Sequence, residues 1–121
     1  MKTMATVVQM LIRLAFVTLV VLGVFFWTGH ALSLILTHMV VGLVFASLMV
    51  TQGLLAAFNR QSPIWVFLDL FGALVVVWLG MRQEQLLAGG SHWIIQTLHL
   101  LVGLTAMTIT ELVAARIKRT A

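Results

Sequence analysis

Four long stretches of mainly apolar residues constrain the fold of this chain more than any other feature. They run roughly over residues 4–27, 31–58, 63–87 and 92–117. About 20 apolar residues in a helix cross a hydrocarbon core roughly 30 Å thick, so each stretch can form one transmembrane helix. We therefore predict one all-α domain over residues 1–121, an integral membrane four-helix bundle.

Composition agrees with this prediction and excludes other classes of protein. The chain is 62% hydrophobic and 8% charged, well outside the range of soluble globular proteins. The formal charge of +4 does not indicate a nucleic-acid partner, because the basic residues lie near the ends of the apolar stretches. The chain has no cysteine, which excludes disulfides, thiolate-bound metal and thioether-attached haem.

Short polar segments mark the turns between the predicted helices. Residues 28–30, "TGH", join the first helix to the second, so these two form an antiparallel hairpin. Ser62 is a typical N-cap and Pro63 suits the first turn of the third helix. Gly89 and Gly90 are expected to end that helix, and Ser91 to cap the fourth. The result is two tandem helical hairpins.

The basic residues also predict the orientation of the bundle. With the N-terminus inside, only Arg82 lies on the outer half, and the cytoplasmic half holds Lys2, Arg13, Arg60, Arg116, Lys118 and Arg119. Positive residues favour the cytoplasmic side, so we expect both termini there, in a prokaryotic inner membrane. The second and fourth helices then run parallel.

These two helices share a local sequence pattern. The second contains "HMVVGL" from His38 and the fourth contains "HLLVGL" from His99, while the first and third share "LVV" followed by a glycine. Duplication of a hairpin would produce a parallel repeat about an axis along the membrane normal. Chance similarity between short apolar segments is the alternative.

All four histidines lie in these two helices or at their starts, as the pairs His30/His38 and His92/His99. His38 and His99 are expected roughly 10–12 Å inside the helix ends, where an imidazole needs a partner. They could hydrogen-bond to backbone or to each other, or they could bind a metal. Gly42 and Gly103, four residues later, lie on the same faces and leave room for a flat ligand such as haem.

At these residues the chain resembles the transmembrane b-type cytochromes, whose four-helix cores bind haem between histidines of two helices. The resemblance implies haem b with His38 and His99 as axial ligands, and Gly42 and Gly103 as packing glycines. It implies electron transfer, including quinol oxidation, between a quinone pool and a redox partner protein. Dihaem members space their histidines about four turns apart, whereas the spacings here are eight and seven residues. We expect one haem, with a second at His30 and His92 as the alternative.

If they are not haem ligands, the two outer histidines could have other roles. His30 and His92 are expected near Thr28, Ser91 and Arg82, where they could contact haem propionates or a quinone carbonyl. They could equally be solvated residues at the membrane interface, without any ligand.

A second polar group is predicted near the cytoplasmic ends of the helices. Arg13, Gln52, Asp69 and Glu111 come from four different helices. A structural reading is an Arg13–Asp69 salt bridge with the other two nearby. The functional reading is a proton or quinone site.

An alternative function requires no cofactor. A four-span chain of this size could be a proton-coupled exporter using Asp69 or Glu111, or an accessory subunit of a larger membrane complex. As an assembly, the chain could form a homodimer or join that complex.

Overall fold

The computed structural model describes residues 1–83 and 89–120, and these residues form four α-helices. Helix α1 spans Lys2–Trp27, α2 spans Ile35–Phe58, α3 spans Pro63–Arg82 and α4 spans His92–Thr120. All four are long and apolar enough to cross a membrane. The predicted all-α four-helix bundle is confirmed, with the apolar helices of an integral membrane protein.

Helix α1 ends in a glycine turn that moves the start of α2. Gly29 adopts a φ of 81°, and the backbone N–H of His30 donates to the carbonyl of Phe25 at 2.8 Å. This 6→1 bond is typical of a Schellman motif. A 3₁₀ turn over Leu32–Leu34 follows, so the α-helix begins at Ile35 rather than at residue 31, where the second span was expected to start.

Helix α3 starts where the sequence predicts, with Ser62 at the N-cap position and Pro63 in the first turn, but the Ser62 side chain makes no capping hydrogen bond with the described residues. The Ser62 carbonyl accepts the backbone N–H of Trp65 at 3.0 Å. The predicted extension of this helix to Leu87 falls in residues 84–88, outside the described residues.

The four helices pack as a square with one short diagonal. Each helix contacts its neighbours in the order α1, α2, α3, α4, and α4 returns to α1. Helices α2 and α4 also touch across the centre, whereas the described residues of α1 and α3 do not. The short diagonal therefore brings together the two helices that carry the deeper histidines.

Two apolar clusters fill the bundle along its axis. The central cluster contains Ile12, Ala15, Phe45, Ala46, Met49, Ala73, Val76 and Ala106. The terminal cluster lies nearer the chain termini and contains Ala5, Leu55, Ala56, Val113 and Ile117. The half of the bundle beyond the central cluster holds the histidines.

Candidate functional site: a cavity between two histidine helices

A cavity of about 440 Å³ opens between the four helices beyond the central cluster. Its volume falls within the range of small-molecule and cofactor sites, roughly 300–1,000 Å³. Its walls are mainly apolar, and the polar side chains among them are His38, Gln83, His92, Gln96 and His99. The cavity is therefore suited to a largely apolar ligand held by a few polar contacts.

His38 and His99 meet in this cavity. Their ring centroids lie 6.5 Å apart, with an angle of 61° between the ring planes. The 3₁₀ turn compensates for the late start of α2, because it adds about 6 Å before the helix. Each histidine thus lies roughly 10 Å beyond the first helical residue of its segment. The contact between His38 and His99 agrees with the expectation that they lie at the same depth in the bundle.

Each of the two imidazoles buries a ring nitrogen that has no hydrogen-bond partner in the described part of the chain. The Nδ1 atoms of both rings are buried and make no hydrogen bond within residues 1–83 and 89–120. Phe26 packs edge-on against His38, with ring centroids 5.4 Å apart. The alternative in which the two histidines hydrogen-bond to each other is therefore not observed among the described residues.

Each helix contributes one glycine to the cavity wall. A β-carbon at Gly80 would lie 3.2 Å from Cε1 of His99, and one at Gly23 would lie 3.8 Å from Cε1 of His38. These two glycines allow the imidazoles to approach the neighbouring helix. In contrast, a β-carbon at Gly42 would meet only Leu19, at 3.9 Å, and one at Gly103 would meet nothing within 4 Å of the described atoms.

The sequence predicted Gly42 and Gly103 but not the roles of Gly23 and Gly80. A signal for the latter was present, because they are the glycines that follow "LVV" in α1 and α3. The cavity therefore has two kinds of glycine. Gly23 and Gly80 face the imidazoles. One turn along from them, Gly42 faces Leu19 and Gly103 borders open space among the described atoms.

The outer histidines are separated. His92 is the first residue of α4 and lines the cavity. His30 lies in the turn before α2, exposed, with its Nδ1 3.0 Å from the Thr28 hydroxyl, and it does not line the cavity. Arg82 is exposed at the end of α3. Only His92 of this pair is placed to contact a ligand bound between His38 and His99.

The polar group near the termini is paired differently from the predicted arrangement. Arg13 donates through Nε and Nη2 to the two carboxylate oxygens of Glu111, at 2.7 and 2.8 Å. Gln9 donates to the same carboxylate at 2.6 Å and accepts from Lys118 at 2.6 Å. The predicted Arg13–Asp69 salt bridge is wrong, because α1 and α3 lie on the long diagonal and do not touch within the described residues.

Asp69 instead lies in the bundle interior with Gln52 and Thr110. The three residues are 0%, 0% and 1% exposed, respectively. Their five side-chain oxygen and nitrogen atoms have no hydrogen-bond partner in the described part of the chain. Gln52 and Asp69 were predicted from the sequence, whereas Thr110 was not, because a single hydroxyl in an apolar helix is a weak signal.

Among the described residues, no three histidine or carboxylate side chains come together as a metal-ion site. Two imidazoles alone suit a metal whose other ligands come from a macrocycle, as in haem. No family model, curated protein or solved structure matches the chain.

Proposed function

We propose that this chain is a small membrane b-type cytochrome that binds one haem b between His38 and His99. The observation that carries the proposal is the 6.5 Å separation of the two ring centroids within a cavity. Two imidazoles this close, on two different helices, could both bind one metal ion whose remaining ligands come from a macrocycle. His38 and His99 would then hold the haem from helices α2 and α4.

The other cavity residues fit the same group. A flat apolar macrocycle needs space beside the ligands. The open position next to Gly103 supplies it, and at Gly42 a β-carbon would meet only the end of the Leu19 side chain. Both imidazoles line the cavity, so each presents part of its ring to a ligand bound there. The polar side chains Gln83, His92 and Gln96 offer hydrogen bonds at the cavity wall.

Bound haem would supply one-electron chemistry, and the protein would set its potential through the axial ligands and the low dielectric of the cavity. The chain's residues would hold the group and exclude water from it. As a cytochrome, the protein would move electrons between a quinone pool and a redox partner in a prokaryotic inner membrane. Quinol would be the expected electron donor.

The direct test is the haem content of the purified protein. The chain should be expressed with haem supplementation, purified in detergent, and analysed for haem per chain and for its oxidised and reduced spectra. We expect about one haem b per chain, with the sharp reduced α-band of low-spin iron. His38→Ala and His99→Ala should each abolish this signal, since each removes an axial ligand.

His30→Ala is the matched control for these variants. This variant also removes an imidazole, from the turn that precedes α2. His30, however, does not line the cavity and contacts Thr28. It should retain wild-type haem content. A colourless wild-type protein, or unchanged spectra in His38→Ala and His99→Ala, would overturn the proposal in favour of a cofactor-free protein.

A further inference from the structure

Buried polar side chains lie in the half of the bundle opposite the histidine cavity. Gln9 on α1 is one of them and is hydrogen-bonded to Glu111 and Lys118. The other three, Gln52 on α2, Asp69 on α3 and Thr110 on α4, present two carboxylate oxygens, one amide group and one hydroxyl, and none of these atoms is hydrogen-bonded to the described chain. Buried polar groups normally have partners, so this arrangement requires an explanation.

The three side chains occur at one level of the bundle. On each of the three helices, the polar residue follows or precedes a residue of the central cluster by about one turn. On its other side, about one turn away, is a residue that belongs to the terminal cluster or packs against it. Gly53, the neighbour of Gln52, approaches Asp69 so closely that its β-carbon would lie 3.6 Å from Cβ of Asp69. A β-carbon at Gly72 of α3 would lie 4.0 Å from Cβ of Ala106 on α4, and Asp69 and Thr110 lie about one turn along on the same two helix faces. An apolar layer therefore closes the group on each side along the bundle axis.

Asp69 has no basic partner within residues 1–83 and 89–120, since neither of its carboxylate oxygens makes a hydrogen bond there and the ion pair in that part of the chain joins Arg13 to Glu111. Arg13 of α1 is paired with Glu111 of α4, and Lys118 donates to Gln9. Arg116 lies over the ring of Trp65, 4.1 Å from its centroid. Helix α2 contributes no charged side chain, and its His38 belongs to the opposite half. The remaining ionisable residue of α3, Arg82, lies at the far end of that helix.

A carboxylate in this environment requires a neutralising cation. An unpaired charge in a low-dielectric interior is strongly unfavourable, and removal of the charge or binding of a counterion relieves the cost. One carboxylate balances one positive charge, so a monovalent cation leaves the site neutral whereas a divalent cation does not. The carboxylate, amide and hydroxyl oxygens are hard ligands, as small cations prefer.

We propose that Gln52, Asp69 and Thr110 form an interior binding site for one monovalent cation, either Na⁺ or a proton. The site is separate from the histidine cavity, since the central cluster lies between them. It does not depend on haem binding. In the Na⁺ form, oxygens from three helices hold the ion, and in the proton form Asp69 carries the proton and hydrogen-bonds to its two polar neighbours.

Thermal unfolding of the detergent-purified full chain tests the proposal. The midpoint should be measured in NaCl and in choline chloride at equal ionic strength, and across a pH series in choline chloride. A ligand that binds only the folded state raises its stability with concentration. If the site takes Na⁺, the wild-type midpoint rises with NaCl, while Asp69→Asn abolishes the rise and Thr110→Val reduces it.

If the site takes a proton, NaCl has no specific effect, but the wild-type midpoint falls as pH rises. The folded state then holds a proton that the unfolded state releases, so stability decreases with increasing pH. Asp69→Asn should flatten this slope and remove the infrared carbonyl band of a protonated carboxyl group. This variant keeps the size of the side chain and is expected to fold.

Glu111→Gln is the matched control, because it removes a carboxylate one residue from Thr110 that is already paired with Arg13. It should retain the wild-type response to NaCl and the protonated-carboxyl band. A colourless His38→Ala variant should also retain the NaCl response and the protonated-carboxyl band. This result would show that the cation site does not depend on haem binding. The proposal is wrong if wild type and Asp69→Asn respond identically to Na⁺ and to pH and have the same carboxyl band.

Discussion

Four glycines, one on each helix, line the histidine cavity, but their surroundings differ. A β-carbon at Gly80 would press against His99 at 3.2 Å, whereas one at Gly103 would meet no described atom within 4 Å. A methyl group therefore has opposite consequences at the two positions. At Gly80 it displaces an imidazole, and at Gly103 it enters the space proposed for the haem edge.

This difference predicts unequal effects of Gly80→Ala and Gly103→Ala. Overpacking a filled site costs about 1–3 kcal/mol, so we expect Gly80→Ala to weaken haem binding about tenfold or more. Gly103→Ala should weaken haem binding less, since one methyl group meets no described protein atom and takes up little of the space proposed for the haem edge. Both variants gain similar helix propensity, which makes them a matched pair. Haem titration into apoprotein measures the difference, and equal affinities would contradict it.

His92 and His30 provide a second comparison. His92→Ala should retain haem but shift its midpoint potential, because His92 lines the cavity without being an axial ligand. A net hydrogen bond of about 0.5–1.5 kcal/mol corresponds to roughly 20–65 mV for a one-electron couple. His30→Ala should leave the potential unchanged. Two haems per wild-type chain, with half lost in either variant, would instead support the second bis-histidine site.

At the scale of helices, the end of α2 contains a strained residue. Arg60 has a φ of 55° and follows the helix as the C′ residue of a Schellman motif, with the Gln61 N–H donating to the Ala56 carbonyl at 2.9 Å. The left-handed conformation costs a residue with a β-carbon roughly 1–2 kcal/mol, and glycine avoids that cost.

Arg60→Gly should therefore raise the free energy of unfolding by about 1 kcal/mol, allowing for the greater entropy of glycine in the unfolded chain. Arg60→Ala removes the same charge but keeps the β-carbon, so it should not stabilise the protein. Unfolding in detergent compares the two. A gain of equal size in Arg60→Ala would assign the effect to charge instead of backbone conformation.

The Arg13–Glu111 pair joins α1 to α4 within the membrane-spanning part of the bundle. Removing one partner leaves the other charge uncompensated in an apolar environment. Glu111→Gln and Arg13→Gln should each lower the unfolding temperature, and the double variant should lose less than the sum of the two. Strict additivity would show that the pair does not couple the helices.

At the scale of the whole molecule, four spans place both termini on one side of the membrane. Basic residues are concentrated at the terminal end of the bundle, so we expect this end to face the cytoplasm. The chain has no cysteine, so Ser62→Cys and Ser91→Cys each introduce a single thiol. A membrane-impermeant maleimide added to intact cells should label Ser91→Cys but not Ser62→Cys. The reverse pattern would invert the orientation.

The spans, the turns and the candidate ligands could be predicted from the sequence because each depends on local properties. The length of an apolar stretch limits the number of crossings, and the Ser62–Pro63 pair marks where α3 begins. His38 and His99 could be selected because a polar ring is rare at that depth. The start of α2 was harder to predict, since the 3₁₀ turn before Ile35 depends on the geometry of the preceding glycine turn.

The partners of the polar residues and the role of Gly80 were decided only by the tertiary structure. In a membrane, the residues that face lipid and those that face other helices are both apolar, so the sequence pattern does not show how each helix is rotated or which helices are neighbours. The short diagonal between α2 and α4 brings His38 to His99, and the long diagonal separates Arg13 from Asp69. Helix packing, which apolar composition leaves undetermined, thus places Asp69 in the interior without a basic partner among the described residues.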